Sequence, residues 1–231
     1  MSQASLKLSS TAPAPRVRLL HGSADDLLED VEGTSQRFDL VHADPPWAYR
    51  QHGARGAIGL DYEQLDTAAI VRTLGAARRV ANREAYLAVW TTSPTMGELW
   101  TAIHAEPLWA WEYIGFAAWD KELMGTGWHL RGQVELVLYW RRGDLTSHSN
   151  SIRNHWTVKR GDHSAKPVEI CRDLLEAFTP SGGRVLDLYA GRGVPVGIAA
   201  GRSGRTYLGA ELDEDRHREA CARLELAGIY P

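Results

Sequence analysis

Four consecutive residues, Asp44-Pro45-Pro46-Trp47, directly follow an apolar run, Phe38–Ala43. Two prolines lack the N–H that a ladder needs, so the chain must leave a central strand here, at its carboxyl end. Open α/β sheets bind their ligands outside that end. The Asp44 carboxylate and the Pro45 carbonyl offer two acceptors with little conformational freedom, and Trp47 offers a flat face. Together they suit a planar ring bearing an –NH2 group, with two N–H donors for two acceptors and an indole to stack on. The N6 amino group of adenine is such a group. Its lone pair is delocalised into the ring, and hydrogen bonds from both N–H groups would draw it out of conjugation and aim it. Taken singly, the same residues make a strand-ending turn with a tryptophan lid on the core. Their position straight after an apolar strand favours the chemical reading.

A second constellation runs from Val185 to Gly193, an apolar strand followed by a glycine turn, with Pro195 placed for the first turn of a helix. Glycines allow close approach of a ligand, and the helix N-terminus supplies free N–H groups. Glu211 lies 24 residues beyond Asp187 (211 − 187), at the end of the run Thr206–Glu211, where an acid can bind ribose hydroxyls. A dinucleotide fingerprint would place glycine at 196, where Val196 stands. Asp187 would also repel a pyrophosphate and suits a cationic ligand or an amino group. These residues give a nucleoside pocket without assigning the cofactor, and the glycine spacing disfavours an NAD(P)-linked oxidoreductase. His163-Ser164-Ala165-Lys166-Pro167 precedes an amphipathic stretch, and a lysine at a helix start works against the dipole. On the residues alone, an exposed lysine in a basic loop is the simpler reading. The nine histidines show no paired ligand spacing on a helix, so no metal is expected.

Asp44–Trp47 after an apolar strand resembles the signature of S-adenosylmethionine-dependent amino methyltransferases acting on nucleic-acid bases. The tryptophan version is similar to the N6-adenine branch, which includes the catalytic subunit of the eukaryotic mRNA adenosine methyltransferase and bacterial and phage relatives. Tyr189, Gly191 and Gly193 match the family's glycine-rich cofactor motif; Leu188, Arg192 and Val194-Pro195 depart from it. His163-x-x-Lys166-Pro167 matches a His-x-x-Lys-Pro element. Trp119-Asp120-Lys121, Gly125–Trp128 and Gly132-x-x-Glu135 are weaker matches. The likeness extends from about Arg16 to Leu226. It implies a Rossmann-like fold in permuted order, with the catalytic motif 143 residues ahead of the cofactor motif (187 − 44). It implies S-adenosylmethionine as cofactor, bound by Asp44, Lys166 (on the cofactor's carboxylate), Asp187, Tyr189, Gly191, Gly193 and Glu211, with Asp44, Pro45, Pro46 and Trp47 catalytic. The implied reaction is methyl transfer to adenine N6 in nucleic acid, DNA in preference to RNA. The alternatives are cytosine N4 as acceptor, and a nucleic-acid-binding subunit without catalysis, against which the intact motif argues.

Apolar runs at Val17–Leu20, Phe38–Ala43, Ala85–Thr91, Trp111–Ala118, Val134–Trp140, Val185–Tyr189 and Thr206–Glu211 predict strands. Helical patterns at Tyr62–Ala81, Pro94–Ala105, Lys166–Phe178, Val194–Gly201 and Asp213–Leu226 alternate with them. That alternation predicts an α/β fold, a mostly parallel mixed sheet with helices on both faces. Trp111–Ala118 and Val134–Trp140, with little helix between, predict an antiparallel pair. Residues 1–15, rich in Ser, Ala and Pro, read as a flexible leader to a single domain over 16–231. No apolar run is long enough to span a membrane, and two cysteines without spaced partners suit the cytoplasm.

Net charge is −3, yet from Arg131 to Lys166 seven bases face three acids. Only four of the 26 basic residues are lysine, and arginine forks onto phosphate and stacks on bases. Arg50, Arg55, Arg141, Arg142, Arg153 and Arg160 are therefore candidate phosphate contacts, and Tyr62 and Trp128 candidate walls of a base pocket. No separate target-recognition region is visible, so specificity rests on loops, on a second subunit or homodimer partner, or is low.

Overall fold

The computed structural model describes residues 16–48, 63–125, 130–161 and 165–229. Eight strands form one sheet: β1 (Val17–His21), β2 (Phe38–Ala43), β3 (Ala81–Thr91), β4 (Glu112–Asp120), β5 (Val134–Arg142), β6 (His155–Thr157), β7 (Arg184–Asp187) and β8 (Thr206–Glu211). Their order is β1-β8-β7-β2-β3-β5-β4-β6. All neighbours run parallel except β5, which is antiparallel to both β3 and β4. The expected antiparallel pair is therefore present, with β5 inserted inside β4 and the short β6 on the edge.

Helices α1 (Ala24–Glu32), α2 (Thr67–Ala76) and α3 (Ser93–Ala105) cover one face; α4 (Val168–Phe178), α5 (Pro195–Arg202) and α6 (Glu214–Leu226) cover the other. Alternation in the strands divides the core between them: Val41 faces the first cluster and Leu40 the second. Among the described residues no helix is long and apolar enough to cross a membrane.

Two elements escape the sequence pattern. The sequence pattern places no element over the acidic run Asp25–Glu32, yet it forms most of α1. Ser23 makes a capping box with Asp26, and Leu27, Leu28 and Val31 are buried. β6, three residues long, is too short to show a period. The helix expected over Tyr62–Ala81 is α2 with a following 3-10 turn at Ala77–Arg79, and β3 starts at Ala81 rather than Ala85.

The permuted order is accommodated by pairing β2 with β7, His42 opposite Asp187. From β7 the chain steps outward to β8, and from β2 outward to β3. The carboxyl ends of the adjacent strands β2 and β7 thus flank a topological switch point, where such sheets open a crevice.

Candidate active site

Asp44 is the first residue beyond β2, with its side chain 32% exposed. The turn behind it is rigid. The Trp47 amide donates to the Pro45 carbonyl at 2.9 Å, and the Leu65 amide donates to the Pro46 carbonyl at 2.9 Å. The Pro45 oxygen therefore already accepts one bond and keeps one lone pair for another. Trp47 departs from the expectation. It is 3% exposed, packed in the core, and its indole N–H donates to the Trp90 carbonyl at 3.0 Å. The indole holds the turn onto β3; it does not present an open stacking face.

A charged network converges on Asp44. The Lys166 ammonium lies 2.6 Å from Asp44 Oδ2 and 3.3 Å from Glu135 Oε2. Lys121 Nζ and an Arg160 guanidinium nitrogen approach Glu135 Oε1 at 3.1 and 3.7 Å. Lys166 also sits 5.1 Å above the Trp90 ring centroid, a cation–π arrangement. Burial alone would depress Lys166, but the charges of Asp44 and Glu135 push it above the usual lysine range. Burial alone would raise Glu135, but Lys166, Lys121 and Arg160 together hold it below the ordinary carboxylate range. The segment entering α4 thus carries a buried, charged lysine rather than an exposed one.

The glycine turn is adjacent. Asp187, at the end of β7, was expected to face a ligand; its carboxylate instead turns inward at 1% exposure. Oδ1 meets His42 Nδ1 at 2.9 Å, and Oδ2 accepts from the Tyr207 hydroxyl at 3.0 Å. The Trp90 indole N–H donates to His42 Nε2 at 3.0 Å. An indole nitrogen only donates, so Nε2 accepts and Nδ1 carries the proton given to Asp187. This buried chain ties β2, β3, β7 and β8 together. Gly209 makes room for it, since a Cβ there would collide with the Tyr207 hydroxyl.

Gly191 adopts φ +63, and a Cβ on it would meet nothing within 4 Å, so open space lies over this turn. The Gly191 amide bonds Glu211, whose carboxyl burial holds above its usual range. Gly193 serves a different contact from the expected ligand approach: a Cβ there would lie 2.5 Å from the Ala165 Cβ, so the segment carrying Lys166 rests directly on it. Val194, φ +37, holds a left-handed conformation unusual for a β-branched residue, just before α5. The Tyr189 hydroxyl is buried near Asp25, and burial with that charge pushes it up.

Of the expected site residues, Asp44 and Lys166 are in contact, Gly191 and Glu211 are in contact, and Gly193 supports Lys166. Arg141 and Arg142 are not brought to this site. They pair with Tyr86 and Ala85 in β3, and Tyr86 lies level with Leu40 in β2, towards the opposite end of the sheet. Arg141 is bound to Glu112 at 3.0 and 3.2 Å, and Arg142 to the Arg78 and Ala81 carbonyls. Their fork of donors is taken up inside the protein. Arg160 lies on Glu135, and Arg153 is exposed just ahead of β6. Arg50, Arg55, Tyr62 and Trp128 lie outside the described residues. The sequence reading gave no site role to His42, Trp90 or Tyr207, and took Lys121 and Glu135 only as weak motif matches. The readable signal was a polar residue inside an apolar strand, as with His42 and Glu135.

Residues 143–222 match the DNA methylase family of N6/N4 methyltransferases. That span carries Lys166, the glycine turn and Glu211; Asp44 lies outside it. The Type II methyltransferase M.MunI of a Mycoplasma species is 23% identical over 172 residues, covering 62% of this chain and 68% of that protein. The M1.HpyAVI–SAM complex superposes with a TM-score of 0.69 at 14% identity, over 90% of this chain and 98% of that one. PvuII DNA methyltransferase, cytosine-N4-specific, gives 0.61 at 13% identity, over 89% and 85%. At these identities the two structural likenesses establish the fold.

Proposed function

We propose that this chain, whose residues 143–222 match the N6/N4 DNA methylase family, transfers the methyl group of S-adenosylmethionine to the N6 amino group of adenine in DNA. The observation that carries this reading is Asp44, partly exposed at the switch-point crevice, held by Lys166 at 2.6 Å beside the glycine turn. The residues fit such a cofactor. Gly191 leaves open space, Glu211 offers ribose hydroxyls a carboxylate, and Lys166 offers a carboxylate an ammonium. When bound, S-adenosylmethionine supplies an electrophilic methyl on a sulfonium centre.

Asp44 and the free lone pair on the Pro45 carbonyl accept the two amino N–H groups, turning the nitrogen lone pair out of the ring plane. Lys166 occupies one oxygen of Asp44, leaving the other for the amine. Trp47 and Pro46, bonded to Trp90 and Leu65, fix the height of the turn. Attack gains chiefly from alignment. The base must leave its stack to reach Asp44. Arg153 and Arg160, on the described part of the basic stretch, are the proposed phosphate contacts. A labelled-methyl assay on duplex DNA tests this. Wild type should transfer label, and Asp44→Ala should lose at least about a hundredfold in rate at saturating cofactor, the scale of one lost transition-state contact. Full transfer by Asp44→Ala refutes the reading.

A further inference from the structure

Glu135 is 7% exposed at the start of β5, opposite Trp119 of β4. Three cations from three separate segments converge on its two oxygens. Lys121 comes from just beyond β4 and Arg160 from just beyond β6, both on Oε1; Lys166 comes from the entry to α4, on Oε2. The Lys121 carbonyl also accepts the Arg160 amide at 3.1 Å, which fastens the first two segments to each other. Glu135 is therefore the joint of this wall. It reaches Asp44 only through Lys166, which lies between the two carboxylates.

We infer that Glu135 is a positioning residue for methyl transfer: it fixes the Lys166 ammonium where that group serves both Asp44 and the carboxylate of the bound cofactor. The inference rests on the methyltransferase reading above. An ammonium this buried needs each of its hydrogens directed at an acceptor. Asp44 takes one and Glu135 a second, which leaves a third for a ligand. Without the Glu135 charge, Lys121 and Arg160 lose their common acceptor and push against Lys166. The ammonium is then left to Asp44 alone, and its hold on a carboxylate ligand weakens.

The test compares two nucleosides by titration calorimetry on the whole chain. S-adenosylhomocysteine carries the amino-acid carboxylate; 5′-methylthioadenosine lacks it. Glu135→Gln should weaken S-adenosylhomocysteine about tenfold, the scale of one charge-assisted hydrogen bond. It should leave methylthioadenosine within about twofold, since loss of a merely structural contact would weaken both alike. Glu135→Asp keeps the charge but draws it back by one carbon, so its affinity ratio should fall between wild type and Gln. Should the Gln variant not fold, the Asp variant decides, and an unchanged ratio overturns the inference. Wild type that binds neither nucleoside overturns the methyltransferase reading itself. Wild type that binds both, with the variants weakening both equally or neither, overturns the role of Glu135 alone.

Discussion

Tyr207→Phe separates two roles for Asp187, an internal anchor or a ligand contact. The substitution removes one hydroxyl and keeps the ring. In the structure that hydroxyl donates to Asp187 Oδ2 at 3.0 Å, with both residues 1% exposed. Among the described residues the Tyr207 hydroxyl is the hydrogen-bond donor seen on Oδ2, while His42 serves Oδ1. A hydrogen bond to a charged, buried acceptor contributes about 1.5–3 kcal/mol. For a chain of this size each kcal/mol moves the melting temperature by roughly 2–4 °C, so the variant should melt about 3–12 °C below wild type. Its affinity for S-adenosylhomocysteine should stay within about twofold, because the altered contact lies beneath the glycine turn and not in it. Scanning calorimetry and titration calorimetry on the same preparations read both quantities. An unchanged melting temperature with lost ligand affinity would refute the inward placement of Asp187.

Gly193→Ala should displace Ala165 and with it Lys166, because the added Cβ would stand 2.5 Å from the Ala165 Cβ; calorimetry should show weaker S-adenosylhomocysteine binding with a stability loss of about 1–3 kcal/mol. Glu135, held low by its cations, contributes stability that is present above the ordinary glutamate range, near pH 4.3, and lost as pH falls through its lowered value. Glu135→Gln should therefore flatten the acid limb of a melting-temperature profile below about pH 4.3, and an identical limb would contradict the network. Ser23→Ala removes the capping box of α1 and should reduce stability by about 0.5–2 kcal/mol in denaturant unfolding.

The parts of the molecule legible in the sequence were those with a local signature. The run into Asp44-Pro45-Pro46 announces a strand that stops, and the glycine turn before Pro195 announces a strand–turn–helix. Type and position were both readable there because the cause is covalent: proline lacks an N–H and glycine lacks a Cβ. Where a side chain points is decided by distant partners, and there the sequence misled. Asp187 turns inward because His42 and Tyr207 wait there, 145 and 20 residues away. Trp47 is enclosed because Trp90 offers its indole an acceptor from a neighbouring strand. Arg141 and Arg142 belong to a basic stretch in sequence, but the antiparallel course of β5 carries them to the other end of the sheet. The same turn of the chain leaves Glu135 at the site end, where it gathers Lys121, Arg160 and Lys166. α1 was overlooked because its charges drew attention from the apolar face formed by Leu27, Leu28 and Val31.

The central proposal is chemical, so the product decides it. Duplex DNA incubated with the protein and deuteromethyl-labelled S-adenosylmethionine, then digested to nucleosides, is read by mass spectrometry. The account predicts labelled N6-methyldeoxyadenosine, absent with Asp44→Ala. Label on deoxycytidine N4 would contradict the choice of base, and unlabelled nucleosides from a folded, cofactor-binding protein would contradict DNA methylation by this chain.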